Sequence, residues 1–287
     1  MTSSRELVGE RHAALAQPPR SRAATCYARR MSTALITGAS SGIGKSLLPL
    51  FAADQHDLIL VARRADLLEQ QKREIEQRFG VKVTTITLDL SERDAAQRLF
   101  DQTTALGDVD VLVNNAGFAQ YGLFHEESGA RQRAMIDVNV GVLTELTRLY
   151  VEPMVQRRRG RIMNVASTAA FQPGPRMAVY YATKAYVLSL SEALAYELSS
   201  TGVTVTALCP GPTRTEFMEV ASYRAPPGFE SAVMSSDDVA RIGYRAMMNG
   251  DRVAVAGLVN RVATIAAQMG PRSLVLALTD RLTRSRS

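Results

Sequence analysis

The chain has 287 residues, 46% of them hydrophobic, and a formal net charge of +6. That length suits one α/β domain of roughly 200–250 residues with extensions. Two cysteines, Cys26 and Cys209, provide no disulfide framework, and His12, His56 and His125 lie too far apart to give metal-ligand spacing.

In chain order, Thr33–Thr37 is expected as a strand, followed by a glycine turn and a helix to about Ala53 that contains Pro49, where a kink is expected. Leu58–Val61 is a second strand and Asp66–Phe79 a helix capped by Gly80. Val81–Leu88 is a third strand, and Ser91–Leu106 a helix with Ser91 as its N-cap. Val109–Val113 is the fourth strand, a long helix covers Arg131–Arg157, and Arg161–Ala166 is the fifth strand. Tyr180–Ser200 is helical and stops at Gly202. Val203–Cys209, Ser236–Asn249 and Val253–Ala256 complete the series as strand, helix and strand. Alternation of helices with nearly continuous apolar strands implies a single doubly wound α/β domain, a parallel sheet with helices on both faces. That domain is expected over residues 31–260, with an extension at 1–30 and another at 261–287.

Charge is unevenly placed. Residues 1–30 hold six arginines against two glutamates and so carry four of the six net charges. The cluster Arg157-Arg158-Arg159-Gly160-Arg161 reads as the solvated end of a helix, where cations complement the dipole. No aromatic residues interleave it, and no nucleic-acid partner is expected. Residues 1–30 lack an apolar run of signal-peptide length. They read as a disordered extension, or as lying upstream of a working start at Met31; their Arg- and Ser-rich composition weakly resembles a transit peptide, against which Glu6 and Glu10 count. No apolar stretch reaches about 18 residues, so no membrane span is expected, and a cytoplasmic protein is. A membrane-surface reading of Leu274–Leu278 with Arg281, Arg284 and Arg286 is the weaker one; that tail is expected to pack on the domain or fray.

The segment Thr37-Gly38-Ala39-Ser40-Ser41-Gly42-Ile43-Gly44 follows a strand and opens a helix. In that context the glycines allow a tight turn and close backbone approach to a pyrophosphate, which sits at the positive helix end. Farther on, Tyr180 and Lys184 are one helical turn apart and share a face. A nearby ammonium draws a phenol toward useful acid–base range, and Ser167 can hold a substrate oxygen beside it. The second strand ends in Ala62-Arg63-Arg64, without the acidic residue that would bind a ribose 2′-hydroxyl. Arginine there can bond a 2′-phosphate, so NADP(H) is preferred and NAD(H) is the alternative.

Together these motifs resemble the short-chain dehydrogenase/reductase family over about residues 31–260. The resemblance rests on the 37–44 turn, Asp89, Asn114-Asn115-Ala116-Gly117, Asn139, Ser167, Tyr180-x-x-x-Lys184 and Pro210-Gly211-Pro212-Thr213-Arg214-Thr215. It implies that Asp89 meets the adenine edge, although the residue could also cap the next loop. Asn115, with Ala116 and Gly117, would brace the central strands beside the cofactor. It further implies that Pro210, Gly211, Thr213 and Thr215 fasten the nicotinamide carboxamide. Lys184 would also bind the nicotinamide ribose, and Asn139 would support a water relay to the lysine. Pairing into a homodimer or homotetramer through Arg131–Arg157 and Tyr180–Ser200 is implied as well.

The expected activity is an NADP(H)-dependent interconversion of a small-molecule carbonyl and an alcohol, with Tyr180 exchanging the proton. The alternatives are an epimerase or dehydratase using the hydride transiently, and a cofactor-binding regulatory protein with little turnover. The stretch at about 215–236 reads as a substrate lid rich in Phe217, Met218, Tyr223, Phe229 and Met234. With Phe118, Phe171 and Met177 it would favour an apolar substrate.

Overall fold

The computed structural model describes residues 32–216 and 232–284; the expectations for residues 1–30 and for Phe217, Met218, Tyr223 and Phe229 lie outside them. Its strands are β1 (Thr33–Thr37), β2 (Asp57–Ala62), β3 (Val83–Thr87), β4 (Val111–Asn114), β5 (Gly160–Val165), β6 (Val203–Cys209), β7 (Thr213–Arg214), β8 (Met234–Ser235) and β9 (Val253–Val255). Its helices are α1 (Gly42–Ala53), α2 (Ala65–Phe79), α3 (Ala95–Thr104), α4 (Gly129–Ile136), α5 (Leu143–Gln156), α6 (Ala178–Glu197), α7 (Ser236–Asn249), α8 (Leu258–Met269) and α9 (Arg272–Arg284).

Seven strands form one sheet in the order β3-β2-β1-β4-β5-β6-β9, and every pair is parallel. Alternate strand residues serve opposite faces, as the two-residue pleat requires. Ala34, Ile36, Leu58 and Leu60 pack with Leu47 and Phe51 of α1, Leu68 of α2 and Val239 of α7. Leu35, Ile59, Val61 and Leu112 pack on the other face with Leu99 of α3 and Leu146 and Tyr150 of α5. Val187 and Leu188 of α6 join that second face beside Ala207 and Cys209. The order in which strands are added across the sheet reverses between β1 and β4, and a crevice opens where their following loops part.

Most element boundaries fall within a few residues of expectation, and Gly80 closes α2 in the left-handed conformation. Two readings need correction. Ser91 does not cap α3: its backbone N–H and hydroxyl both donate to the Asp89 carboxylate, at 2.9 and 2.8 Å. The chain thus turns locally at Asp89, and α3 begins only after Asp94. The expected helix at 131–157 is interrupted by a π-helical segment, Asp137–Val142, between α4 and α5. Pro49 lies inside α1, which is helical throughout Gly42–Ala53. Four of these elements were not expected: the short strands β7 and β8, and α8 and α9, which continue past β9.

Candidate active site

The glycine turn is built from both sides of the switch point. Thr37 ends β1, and its hydroxyl donates to the Val113 carbonyl of β4 at 3.1 Å. The same oxygen accepts from the N–H groups of Asn115 and Ala116 at 3.0 and 3.1 Å. Asn115 then donates its side-chain amide to the carbonyls of Thr37 and Gly38 at 2.9 and 3.1 Å. Its side chain therefore braces the turn.

Gly38 sits at φ +65°, where a Cβ would stand 2.7 Å from the Asn115 amide nitrogen. A Cβ on Gly44 would collide with the Gly38 carbonyl, so the first turn of α1 can close on the loop only with glycine there. The α1 N-terminus carries no acidic residue in its first turn. Its unpaired N–H groups and dipole suit a diphosphate, and the turn leaves room for one to approach. The residues present fit a dinucleotide.

From this turn a cavity of about 680 Å³ runs along the carboxyl ends of the strands. Gly38, Ser40, Ser41, Gly42 and Ile43 line one end, with Arg63, Arg64 and Asp89. Asn115, Ala116 and Gly117 line its middle. Ser167, Tyr180, Lys184, Pro210, Gly211, Thr213 and Thr215 line the other end. Among the expected site residues, Gly44 and Asn139 stand behind this wall.

At the β2 end, Arg64 donates to the Ser40 hydroxyl at 3.2 Å and pairs with Glu216 at 2.9 Å. The Arg63 side chain is 76% exposed and lies 3.8 Å from Asp89. Burial alone would raise the Asp89 carboxyl; the hydrogen bonds from Ser91 and the Arg63 charge outweigh it and hold the group below its usual range.

Ser167 follows the end of β5; its hydroxyl accepts from Ala169 N–H at 3.1 Å and donates to the Pro210 carbonyl at 3.4 Å. Tyr180 lies in the first turn of α6 and is buried. One turn on, the Lys184 ammonium lies 5.8 Å from the Tyr180 ring centroid. It donates to the Val165 carbonyl at 2.7 Å. Burial lowers Lys184 to about 8. Burial likewise pushes the neighbouring Cys209 thiol up to about 12, which leaves it a neutral, inert core group.

Asn139 occupies the π-helical segment. Its side chain accepts from Phe118 N–H at 3.1 Å and donates to the Phe118 carbonyl at 3.0 Å and the Thr183 hydroxyl at 3.1 Å. Widening the helix there lets one amide span the loop after β4 and the helix that carries Tyr180.

Phe118 and Met177 line the cavity, as do Tyr181, Gln172 and Arg131, which sequence reasoning passed over. The Arg131 guanidinium lies over the Phe118 ring, 5.8 Å from its centroid. Phe171 packs elsewhere, with Leu143 and Val187. Thr213 of β7 pairs with Met234 of β8, which joins the two ends of the expected lid.

A glycine turn suited to a phosphate and the buried Tyr180 and Lys184 open on one cavity at the switch point, an arrangement of the nucleotide-binding α/β class. The pattern of the family described as short chain dehydrogenase matches residues 32–224, and the chain belongs to that family. The chain is similar to the uncharacterized oxidoreductase YvrD of Bacillus subtilis (strain 168), at 36% identity over 190 residues covering 66% of this chain and 70% of YvrD. It is 32% identical over 225 residues to the very-long-chain 3-oxoacyl-CoA reductase of Bos taurus, covering 76% of this chain and 70% of the reductase. Among solved structures, the short-chain dehydrogenase from Sphingobium yanoikuyae in complex with NADPH aligns with a TM-score of 0.75 at 33% identity. That alignment covers 82% of this chain and 92% of the other.

Proposed function

We propose that the protein interconverts a ketone or aldehyde and an alcohol with NADP(H), using Tyr180 to deliver or receive the proton at the substrate oxygen. When bound, the nicotinamide coenzyme supplies or accepts the hydride. The observation that carries the reading is the pairing of Tyr180 with a buried, lowered Lys184 on the cavity that the glycine turn opens. The lysine charge favours the phenolate and so eases proton exchange near neutral pH. Ser167 orients the substrate oxygen, and Asn139 holds the Phe118 loop and α6 in register. Regulatory binding without turnover would need the turn but not this buried ammonium.

Ala62, Arg63, Arg64 and Ser40 support a preference for NADP(H). A 2′-phosphate there would meet two cations and a hydroxyl, and the Sphingobium relative binds NADPH. Asp89 would lie by the adenine, and the 210–215 segment by the carboxamide. Phe118, Met177 and Tyr181 favour an apolar substrate, in keeping with the long-chain acyl substrate in the bovine relative's name. We further propose a cytoplasmic enzyme that pairs through α4, α5 and α6, on which Ile136, Tyr186 and Tyr196 are exposed.

The test is a panel of neutral carbonyls of rising alkyl or ring size, followed by nicotinamide absorbance with both coenzymes. kcat/KM should rise with size and be higher with NADPH. A preference for small keto acids or sugar phosphates would contradict the apolar reading.

A further inference from the structure

The two C-terminal helices are inverted in polarity. Among their described residues α8 buries Asn260 and Thr264, and α9 buries Thr279 and Thr283. Their large apolar side chains face outward: Leu258, Val262, Ile265 and Met269 on α8, and Leu274 and Leu278 on α9. Met269 is 83% exposed and Leu258 77%. The α8 residues recur at i, i+4, i+7 and i+11, which makes one continuous stripe.

This orientation is fixed by specific contacts. Asn260 donates to the carbonyls of Ala256 and Ala232 at 2.8 and 3.2 Å. Tyr121 donates its hydroxyl to the Thr283 carbonyl at 2.8 Å, and Arg176 pairs with Asp280 at 3.9 Å. Rolling either helix to bury its leucines would break these bonds. A contiguous apolar face held outward in this way marks a contact surface.

Charge selects what contacts it. Residues 257–284 hold Arg261, Arg272, Arg281 and Arg284 against Asp280 alone, and Asp280 is already paired with Arg284 and Arg176. A second copy related by a two-fold axis would bring this cationic face against itself. Residues 1–30 are also cationic and would be repelled. An anionic phospholipid surface satisfies both the apolar stripe and the arginines. No helix among the described residues is long and apolar enough to cross a membrane, so the contact is one of lying on the surface.

We propose that α8 and α9 dock the protein on anionic phospholipid bilayers. The test is cosedimentation of the full chain with phosphatidylcholine vesicles, with and without phosphatidylserine, across a salt series. Binding should require phosphatidylserine and weaken as salt rises. The triple variant Leu258→Ser, Val262→Ser, Met269→Ser should lose about tenfold or more in partitioning, while melting and turnover of a water-soluble carbonyl stay unchanged. Arg281→Gln should lose about fivefold. Because the triple variant keeps the N-terminal arginines, binding that survives in it would overturn the proposal by assigning the contact to them. Absence of wild-type binding would also overturn it. So would a fall in light-scattering mass in the triple variant, which would show that a second copy covers the face. Should the triple variant misfold, an unchanged partition for Arg281→Gln would be decisive against the proposal.

Discussion

Lys184 donates its ammonium to the carbonyl of Val165 at 2.7 Å. Val165 ends β5 two residues before Ser167, so this bond ties α6 to the strand that delivers the serine. It also holds a cation in a buried place, where desolvation opposes the charge.

The first prediction follows from that burial. Lys184 titrates at about 8 when folded, below its usual value of 10.5. Between those values the unfolded chain binds more protons, so stability should rise with pH across the window. The penalty is fully present below about pH 8 and gone above about pH 10.5. Lys184→Met removes the titration, and whatever the Val165 carbonyl loses does not depend on pH. The Tm of the wild type minus that of the variant, without coenzyme, should therefore increase from pH 7.5 to 10, by on the order of 2 kcal/mol in stability. A flat difference across that range would mean that Lys184 is not desolvated.

Asn139→Ala should destabilise the protein by about 3 kcal/mol, because it leaves the half-buried N–H and carbonyl of Phe118 without their partner and removes the bond to the Thr183 hydroxyl, which keeps only the Tyr180 carbonyl. Thr183→Ala, which removes one of those bonds to Asn139, should cost about 1 kcal/mol. Denaturant melts of both variants check the ratio. Equal small losses would show that the π-helical segment holds the loop without the amide.

Arg63→Ala should weaken NADPH about tenfold or more, the loss of one charge-assisted bond, and leave NADH nearly unchanged. Ala62→Asp should shift preference toward NADH, since a carboxylate repels the 2′-phosphate. Fluorescence titration with both coenzymes reads the result. Equal losses for the two in Arg63→Ala would mean that Arg63 does not read the 2′ position.

Which parts of the molecule could be read from sequence follows from how local their causes are. Strands such as Val203–Cys209 and the Thr37–Gly44 turn announce themselves through apolar runs and glycine spacing, and parallel order follows from alternation. The π-helical segment around Asn139 was invisible because a helix widens to satisfy a tertiary contact, here Phe118 and Thr183, and no residue pattern demands it. Ser91 has the chemistry of a cap, but Asp89 accepts from both its N–H and its hydroxyl and turns the chain there, so that α3 starts only at Ala95. Tyr181 has only Ala185 one turn on and so no ammonium to mark it in the sequence, yet it lines the cavity beside Tyr180. The helices α8 and α9 escaped because pattern reading assigns leucines to the core, and here Thr279 and Thr283 are inside and Leu274 and Leu278 outside.

The central claim is that Tyr180 moves the proton while its neighbour Tyr181 does not. Tyr180→Phe removes one oxygen and leaves the ring that packs with Ala119, Met135 and Met177. The decisive measurement is kcat for carbonyl reduction in Tyr180→Phe and Tyr181→Phe, taken with NADPH affinity by fluorescence titration. The account expects kcat to fall by about a hundredfold or more in Tyr180→Phe, with coenzyme affinity kept, and only mildly in Tyr181→Phe. Wild-type turnover in Tyr180→Phe with coenzyme still bound would contradict it.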